Sequence, residues 1–288
     1  METKHLGAIV ACGSKGARCN SFSYMSENYY HDVEIGLQKE MIKNGYGLMT
    51  ARIDFMAKNI AMPSMLKNDM VDGVFIIGGM FNDSLVKMIQ KKKIPIVVIG
   101  RDCEELDCVN TDYTEAAYKG VKYLLERGHR DILYISGPDR TPTSRLKDLG
   151  YKKALEEYFM QVSERRYIKS EFSGDGGYWA VKTAFEKKKL RPTAIFASSD
   201  GIAAGVLGYL YEQRIRVPDD ISVVAYERSV LTEYLTPVLT SIDVHKNVLG
   251  SKAAHMMIQR LKNPDLPRQY CEVPVELVEG ASVRELKI

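Results

Sequence analysis

Two carboxylates stand where a parallel α/β sheet could use them. In RPTAIFASSDGIAAGVLGYLYEQRIRVPDDISVVAYERS (191–229), Ala194 to Ala197 is a short apolar run bounded by Pro192 and Ser198. Ile202, Val206, Leu207 and Leu210 then recur at helical spacing. Pro218 and the pair Asp219 and Asp220 break that helix, and Ile221 to Tyr226 is a second apolar run rich in β-branched residues. Strand, helix and strand in that order make the two strands parallel. Asp200 follows the first strand and Glu227 the second, both at carboxyl ends, the edge where open α/β sheets bind ligands. Two roles fit Asp200: an N-cap that satisfies a free helix N–H, or a ligand contact. Glu227 alone also reads as a solvated loop acid.

Catalytic patterns are missing. G-x-S-x-G and H-E-x-x-H do not occur. The Gly13 to Gly16 segment lacks the full G-x-x-x-x-G-K-[ST] phosphate loop and reads as a surface loop. His5, His31, His129, His245 and His255 show no metal-ligand spacing. The lysine runs at 91–93 and 187–189 fall at helix ends, where cations offset the helix dipole. A non-enzyme with neither cofactor nor metal is expected.

The elements that must hold the two acids repeat one unit. Strands are expected at 6–11, 48–51, 74–77 and 94–99, alternating with helices over 29–44, 57–68 and around Leu85 to Ile89. The pattern restarts with a helix over 111–127, a strand at 132–136, a helix over 144–159, a strand at 167–172 and a helix through Tyr178 to Phe185. After the central unit comes a helix from about Lys246 to Leu261, and one last strand from Glu272 to Val278. Such alternation predicts two doubly wound parallel sheets.

At 288 residues the chain can bury a sizeable core in two domains. Its net charge of +3 is too small to argue for a nucleic-acid surface. No run of 18 apolar residues is present, so no membrane span is expected. The start METKHLGAIVACGSKG lacks the layout of a signal peptide. Five cysteines, an odd number without C-x-x-C, predict free thiols in a reducing cytoplasm.

Several long motifs in order resemble the effector-binding domain of LacI/GalR transcription regulators. These are DGVFIIGG (72–79), VNTD (109–112), GHRDILYISGP (128–138), RLKDLGYKKAL (145–155), PTAIFASSD (192–200), VPDDISVVAYE (217–227), PVLTS (237–241) and VPVELVEGASVRE (273–285). Glu279 stands where that family usually has Arg. The resemblance covers nearly the whole chain. It implies a periplasmic-binding-protein-like type I fold: two α/β subdomains, 1–110 plus 243–270 and 111–242 plus 271–288, joined by a three-strand hinge around an effector cleft.

By the same motif match, effector contacts fall on Tyr29, Tyr30, Arg101, Lys147, Phe172, Asp200 and Glu227. Tyr29 and Tyr30 offer flat apolar faces to a sugar ring or nucleobase, or else belong to the core. Lys147 replaces a common Arg and loses its bidentate fork. Glu227 replaces Asp and reaches one methylene further, Gly100 stands where some relatives have an acid, and Val244 stands where Gln is common. With Arg101, Arg145 and Lys147 kept, the balance favours an anionic or phosphorylated effector. The resemblance implies a cytoplasmic homodimer that senses a small molecule, a sugar or sugar derivative, and couples it to operator DNA through a helix-turn-helix headpiece. Only five residues precede the first expected strand, so the headpiece is expected to be missing, trimmed away or never present. A periplasmic sugar-binding protein and an α/β enzyme are the rival readings.

Overall fold

The computed structural model describes residues 4–12, 24–54, 60–78 and 83–286. The first elements are β1 (His5–Cys12), α1 (Tyr24–Lys43), β2 (Gly47–Asp54), α2 (Ser64–Lys67), β3 (Gly73–Ile77), α3 (Asp83–Gln90), β4 (Ile96–Ile99) and β5 (Asp107–Asn110). Next come α4 (Tyr113–Glu126), β6 (Ile132–Ser136), α5 (Pro142–Glu157), β7 (Tyr167–Lys169), α6 (Gly174–Lys182) and β8 (Ala194–Ala197). Then follow α7 (Asp200–Glu212), β9 (Ser222–Glu227), α8 (Val230–Tyr234), β10 (Thr240–Asp243), α9 (Lys246–Lys262), β11 (Tyr270–Glu272) and β12 (Glu276–Val278).

These elements form two compact units. The first contains β1, Tyr29–Thr111 and His245–Val273, around a six-stranded sheet of order β11-β5-β4-β3-β1-β2. The second contains Asp112–Val244 and the stretch from Pro274 onward, around a six-stranded sheet of order β12-β10-β9-β8-β6-β7. Every strand pair is parallel except β12 on β10. The two doubly wound sheets expected from strand–helix alternation are therefore present.

Continuous apolar strands explain why helices cover both faces. All residues of β3, β4, β6 and β8 are buried. Phe196 of β8 packs in stack with Tyr134 of β6, ring centroids 5.4 Å apart. Burying one such side chain contributes about 2 kcal/mol. Helix α5 presents Ser144, Lys147, Asp148, Tyr151, Ala154 and Leu155 inward, a stripe at helical spacing that mixes polar with apolar residues.

Four expectations change. The run from Glu272 to Val278 is not one strand: Tyr270–Glu272 pairs with β5 in the first sheet, whereas Glu276–Val278 pairs with β10 in the second. Pro274 lies between them, and its missing N–H suits a crossing better than a ladder. The chain accordingly leaves the first unit after Val273, and β10 keeps residues through Val244 with the second. The strand expected over 167–172 stops at Lys169. In place of a helix over 57–68, the described part is helical only at Ser64–Lys67, behind Pro63 with φ −55°. Residues 57–59, the Gly13 to Gly16 segment and Cys19 lie outside the described residues. Cys103, Cys108 and Cys271 are free thiols. Among the described residues no helix is long and apolar enough to cross a membrane.

Candidate functional site

The second sheet gathers its polar side chains at the carboxyl ends of β6, β8 and β9. Helix α5 carries Lys147 inward, only 2% exposed. Its ammonium donates to the carbonyl of Ser198, just past β8, at 2.8 Å. It sits 3.8 Å from the centroid of the Tyr226 ring and 5.0 Å from that of Phe172. Glu227 Oε1 lies 3.9 Å away. Burial pushes the Lys147 ammonium down to about 8, against the opposing pull of Glu227, Asp200 and Asp148.

Asp200 does not cap its helix. Ser199 does, its side chain accepting the N–H of Ile202 at 3.2 Å. Asp200 is the first residue of α7 and 3% exposed, with its carboxylate aimed at the turn after β9. Oδ2 accepts the backbone N–H of Ser229, and Oδ1 accepts the hydroxyl of Ser241 at 3.5 Å. That turn is sharp: φ is +103° at Glu227 and +45° at Arg228, a region most side chains avoid. Such backbone persists when its surroundings over-determine it, and it clusters at ligand sites.

Beside Lys147, Asp148 faces a second network. Its carboxylate accepts Tyr134 Oη at 3.0 Å, Tyr167 Oη and Lys169 Nζ at 2.7 Å each, and the Ser136 hydroxyl. Burial pushes this carboxyl up, but the bonds from Lys169, Ser136 and Tyr167 outweigh it and hold it below the usual carboxylate range. Lys169 also pairs with Asp139 at 2.9 Å. Arg145 Nε donates to the Asp139 carbonyl at 3.3 Å.

The structure thus brings Lys147, Phe172, Asp200 and Glu227 to one sheet edge. Tyr29 and Tyr30, half-buried on α1 of the first unit, meet edge to face with centroids 5.6 Å apart and pack against that unit's core. Arg101 is half-buried just past β4 of the same unit. Among the described residues no group of His, Cys, Asp and Glu could hold a metal ion.

Sequence reasoning missed Tyr226, Ser198, Ser229, Ser241 and Asp148. For Asp148 a signal existed: an acid on the buried stripe of α5 needs donors around it. Ser198 and Ser229 bond through their backbone and Ser241 through its hydroxyl, all to partners distant in sequence, which no local pattern reports.

Residues 121–283 match the family model of the periplasmic binding protein-like domain. A curated relative, the HTH-type transcriptional repressor PurR of Escherichia fergusonii, is 32% identical over 99% of this chain and 81% of its own. The PurR of Salmonella arizonae is 31% identical over the same shares. Among solved structures, a CelR–cellobiose complex of a transcriptional regulator superposes with TM-score 0.83 at 22% identity, covering 98% of this chain and 85% of that one. A LacI family transcriptional regulator from Enterococcus faecium with bound ribose gives 0.82 at 23% identity, covering 98% and 100%.

Proposed function

Because this chain belongs to the periplasmic-binding-protein-like family, as the effector-binding region of a LacI-type transcriptional regulator, we propose that it senses a small uncharged sugar at the carboxyl edge of its second sheet. One observation carries the reading: Lys147, Phe172, Tyr226, Asp200 and Glu227 converge on that edge from four separate elements and loops. A carboxylate accepts sugar hydroxyls and an aromatic face covers the apolar side of a pyranose or furanose. Phe172 supplies the face and Glu227 the acceptor. Tyr29, Tyr30 and Arg101 are proposed as further contacts on the motif match alone.

An uncharged ligand fits better than the anion that Arg101, Arg145 and Lys147 suggested. The Lys147 ammonium already faces a carbonyl, a carboxylate and two rings. A phosphate would have to compete with Glu227 and Asp200 for it. The bound ribose and cellobiose of the structural neighbours point to the same ligand class.

The relatives are named as regulators, which supports binding without turnover. Binding would shift the balance between conformations and so the affinity for operator DNA. The protein is a homodimer in this reading. The test is a thermal-shift and calorimetry screen with D-ribose, D-glucose, cellobiose and D-glucose 6-phosphate. A sugar that prefers the folded state raises the melting temperature, and Glu227→Ala abolishes the rise. Binding of the phosphate alone, or of none of the four, overturns the proposal.

A further inference from the structure

We infer that Asp200 is a positioning residue whose carboxylate, together with the Ser241 hydroxyl, clamps the turn Glu227–Arg228–Ser229 and thereby sets the Glu227 carboxylate beside Lys147. The inference deepens the proposed sugar reading, on which its relevance to the effector rests. The clamp itself is a property of the ligand-free protein.

Three observations support it. First, capping of α7 belongs to Ser199, so Asp200 is not needed there. Second, the turn after β9 runs through two positive φ angles at residues with side chains. Each costs on the order of 1 kcal/mol, so something must hold them. Third, the two amide N–H groups that follow Glu227 end on one relay. The N–H of Arg228 donates to Ser241 Oγ at 3.2 Å, the Ser241 hydroxyl donates to Asp200 Oδ1 at 3.5 Å, and the N–H of Ser229 donates to Asp200 Oδ2. Bonds in such a chain polarise and strengthen one another. Ser241 comes from β10, where it pairs with Ala225, two residues before Glu227. The relay therefore fastens the turn to the neighbouring strand just where the β9–β10 ladder ends, at the pair Asp243 and Glu227.

The groups that face the Lys147 ammonium are the Ser198 carbonyl, the rings of Phe172 and Tyr226, and the carboxylates of Glu227, Asp200 and Asp148. Only Glu227 among the three acids lies on the clamped turn. Loosening the turn should thus reach Lys147 chiefly through Glu227, the acid whose own backbone the relay holds.

Ser241→Ala breaks the relay and changes no charge. Lysine-labelled protein, titrated by NMR without ligand, reads the Lys147 midpoint. Losing a fixed carboxylate at about 4 Å should lower that midpoint by roughly half a pH unit or more. In a Glu227→Gln background the same substitution should shift the midpoint much less, leaving only what the Asp200 carboxylate contributes. Equal shifts in both backgrounds, or no shift in either, overturn the clamp. Ser241→Cys, a weak acceptor, gives the same reading if the alanine variant does not fold, and Ser241→Thr should restore the wild-type midpoint. For whichever of D-ribose, D-glucose and cellobiose binds the wild type, Ser241→Ala should weaken binding roughly tenfold, the loss of about one hydrogen bond to a charged group. Unchanged affinity overturns the positioning role. If none binds, the sugar reading falls and the titration still decides the clamp.

Discussion

Lys147 and Tyr226 form a buried cation–π pair, the ammonium 3.8 Å from the ring centroid. A desolvated pair of this kind is worth about 2 kcal/mol. It accounts for how a lysine only 2% exposed remains tolerable in the core of the second unit.

That tolerance depends on pH. The folded protein holds Lys147 near 8, below its ordinary value of 10.5. Between those values the unfolded chain binds more protons, so stability attributable to this group rises with pH across the window. The buried phenols act in the opposite sense at higher pH, since burial raises Tyr151 to about 12. Denaturant melts of wild type and Lys147→Met, compared from pH 7 to 10, isolate the lysine. The wild type should gain on the variant as pH rises. A constant difference would mean that Lys147 titrates normally.

Asp148 should be the costliest polar residue of α5 to lose. Asp148→Ala takes the shared acceptor from two buried hydroxyls, on Tyr134 and Ser136, and from the half-buried Tyr167 and Lys169, of which Lys169 keeps Asp139. Removing one partner of a buried charged network costs about 3–5 kcal/mol. The carboxyl is held below its usual 3.8, so its contribution is present above that value and is lost as pH falls through the lower folded one. Urea midpoints should separate wild type from Asp148→Asn at pH 7, and the gap should narrow below about pH 4.

Much of this arrangement is legible in the amino-acid sequence. Strands such as VFII (74–77) and AIFA (194–197) are apolar throughout because helices cover both faces of their sheets, and that pattern survives in sequence. The placement of Asp200 and Glu227 at strand ends followed from the same units. What those acids touch did not follow. Asp200 bonds across 29 and 41 residues, and Lys147 donates across 51. The backbone turn at Glu227 carries no glycine to announce it. The last apolar run looked continuous because pairing partners, not composition, send Tyr270–Glu272 and Glu276–Val278 to different sheets.

Two glycines on helices of the second unit, one on α5 and one on α7, should respond oppositely to alanine. A Cβ at Gly150 of α5 would lie 2.1 Å from the Thr114 carbonyl oxygen and 2.8 Å from the Tyr118 nitrogen, both backbone atoms of α4 that cannot swing away. Gly150→Ala should cost about 1–3 kcal/mol by forcing the helices apart. At Gly208 of α7 nothing lies within 4 Å of the added carbon. Gly208→Ala should stabilise by up to about 1 kcal/mol through helix propensity. Thermal melts of both variants check the pair: a Gly150→Ala that melts no lower than the wild type would contradict the close packing of α4 on α5, and a destabilised Gly208→Ala would contradict the open space at α7.

The proposed homodimer has a surface to test on the second unit. Trp179 on α6 is 59% exposed and Tyr211 on α7 is 85% exposed. The helices are joined by Tyr178, whose hydroxyl donates to Glu212 at 2.6 Å, and Lys182 stands 5.0 Å over the Trp179 ring. Large aromatics left in water are enriched at protein interfaces. Trp179→Asp combined with Tyr211→Asp puts a like charge at each exposed aromatic, which repels a second copy docked on either. Sedimentation velocity at micromolar concentration should then show a monomer where the wild type runs as a dimer, with the melting curve of the second unit intact. A double variant that sediments like the wild-type dimer would place the contact elsewhere, and a wild type that sediments as a monomer would remove the dimer altogether.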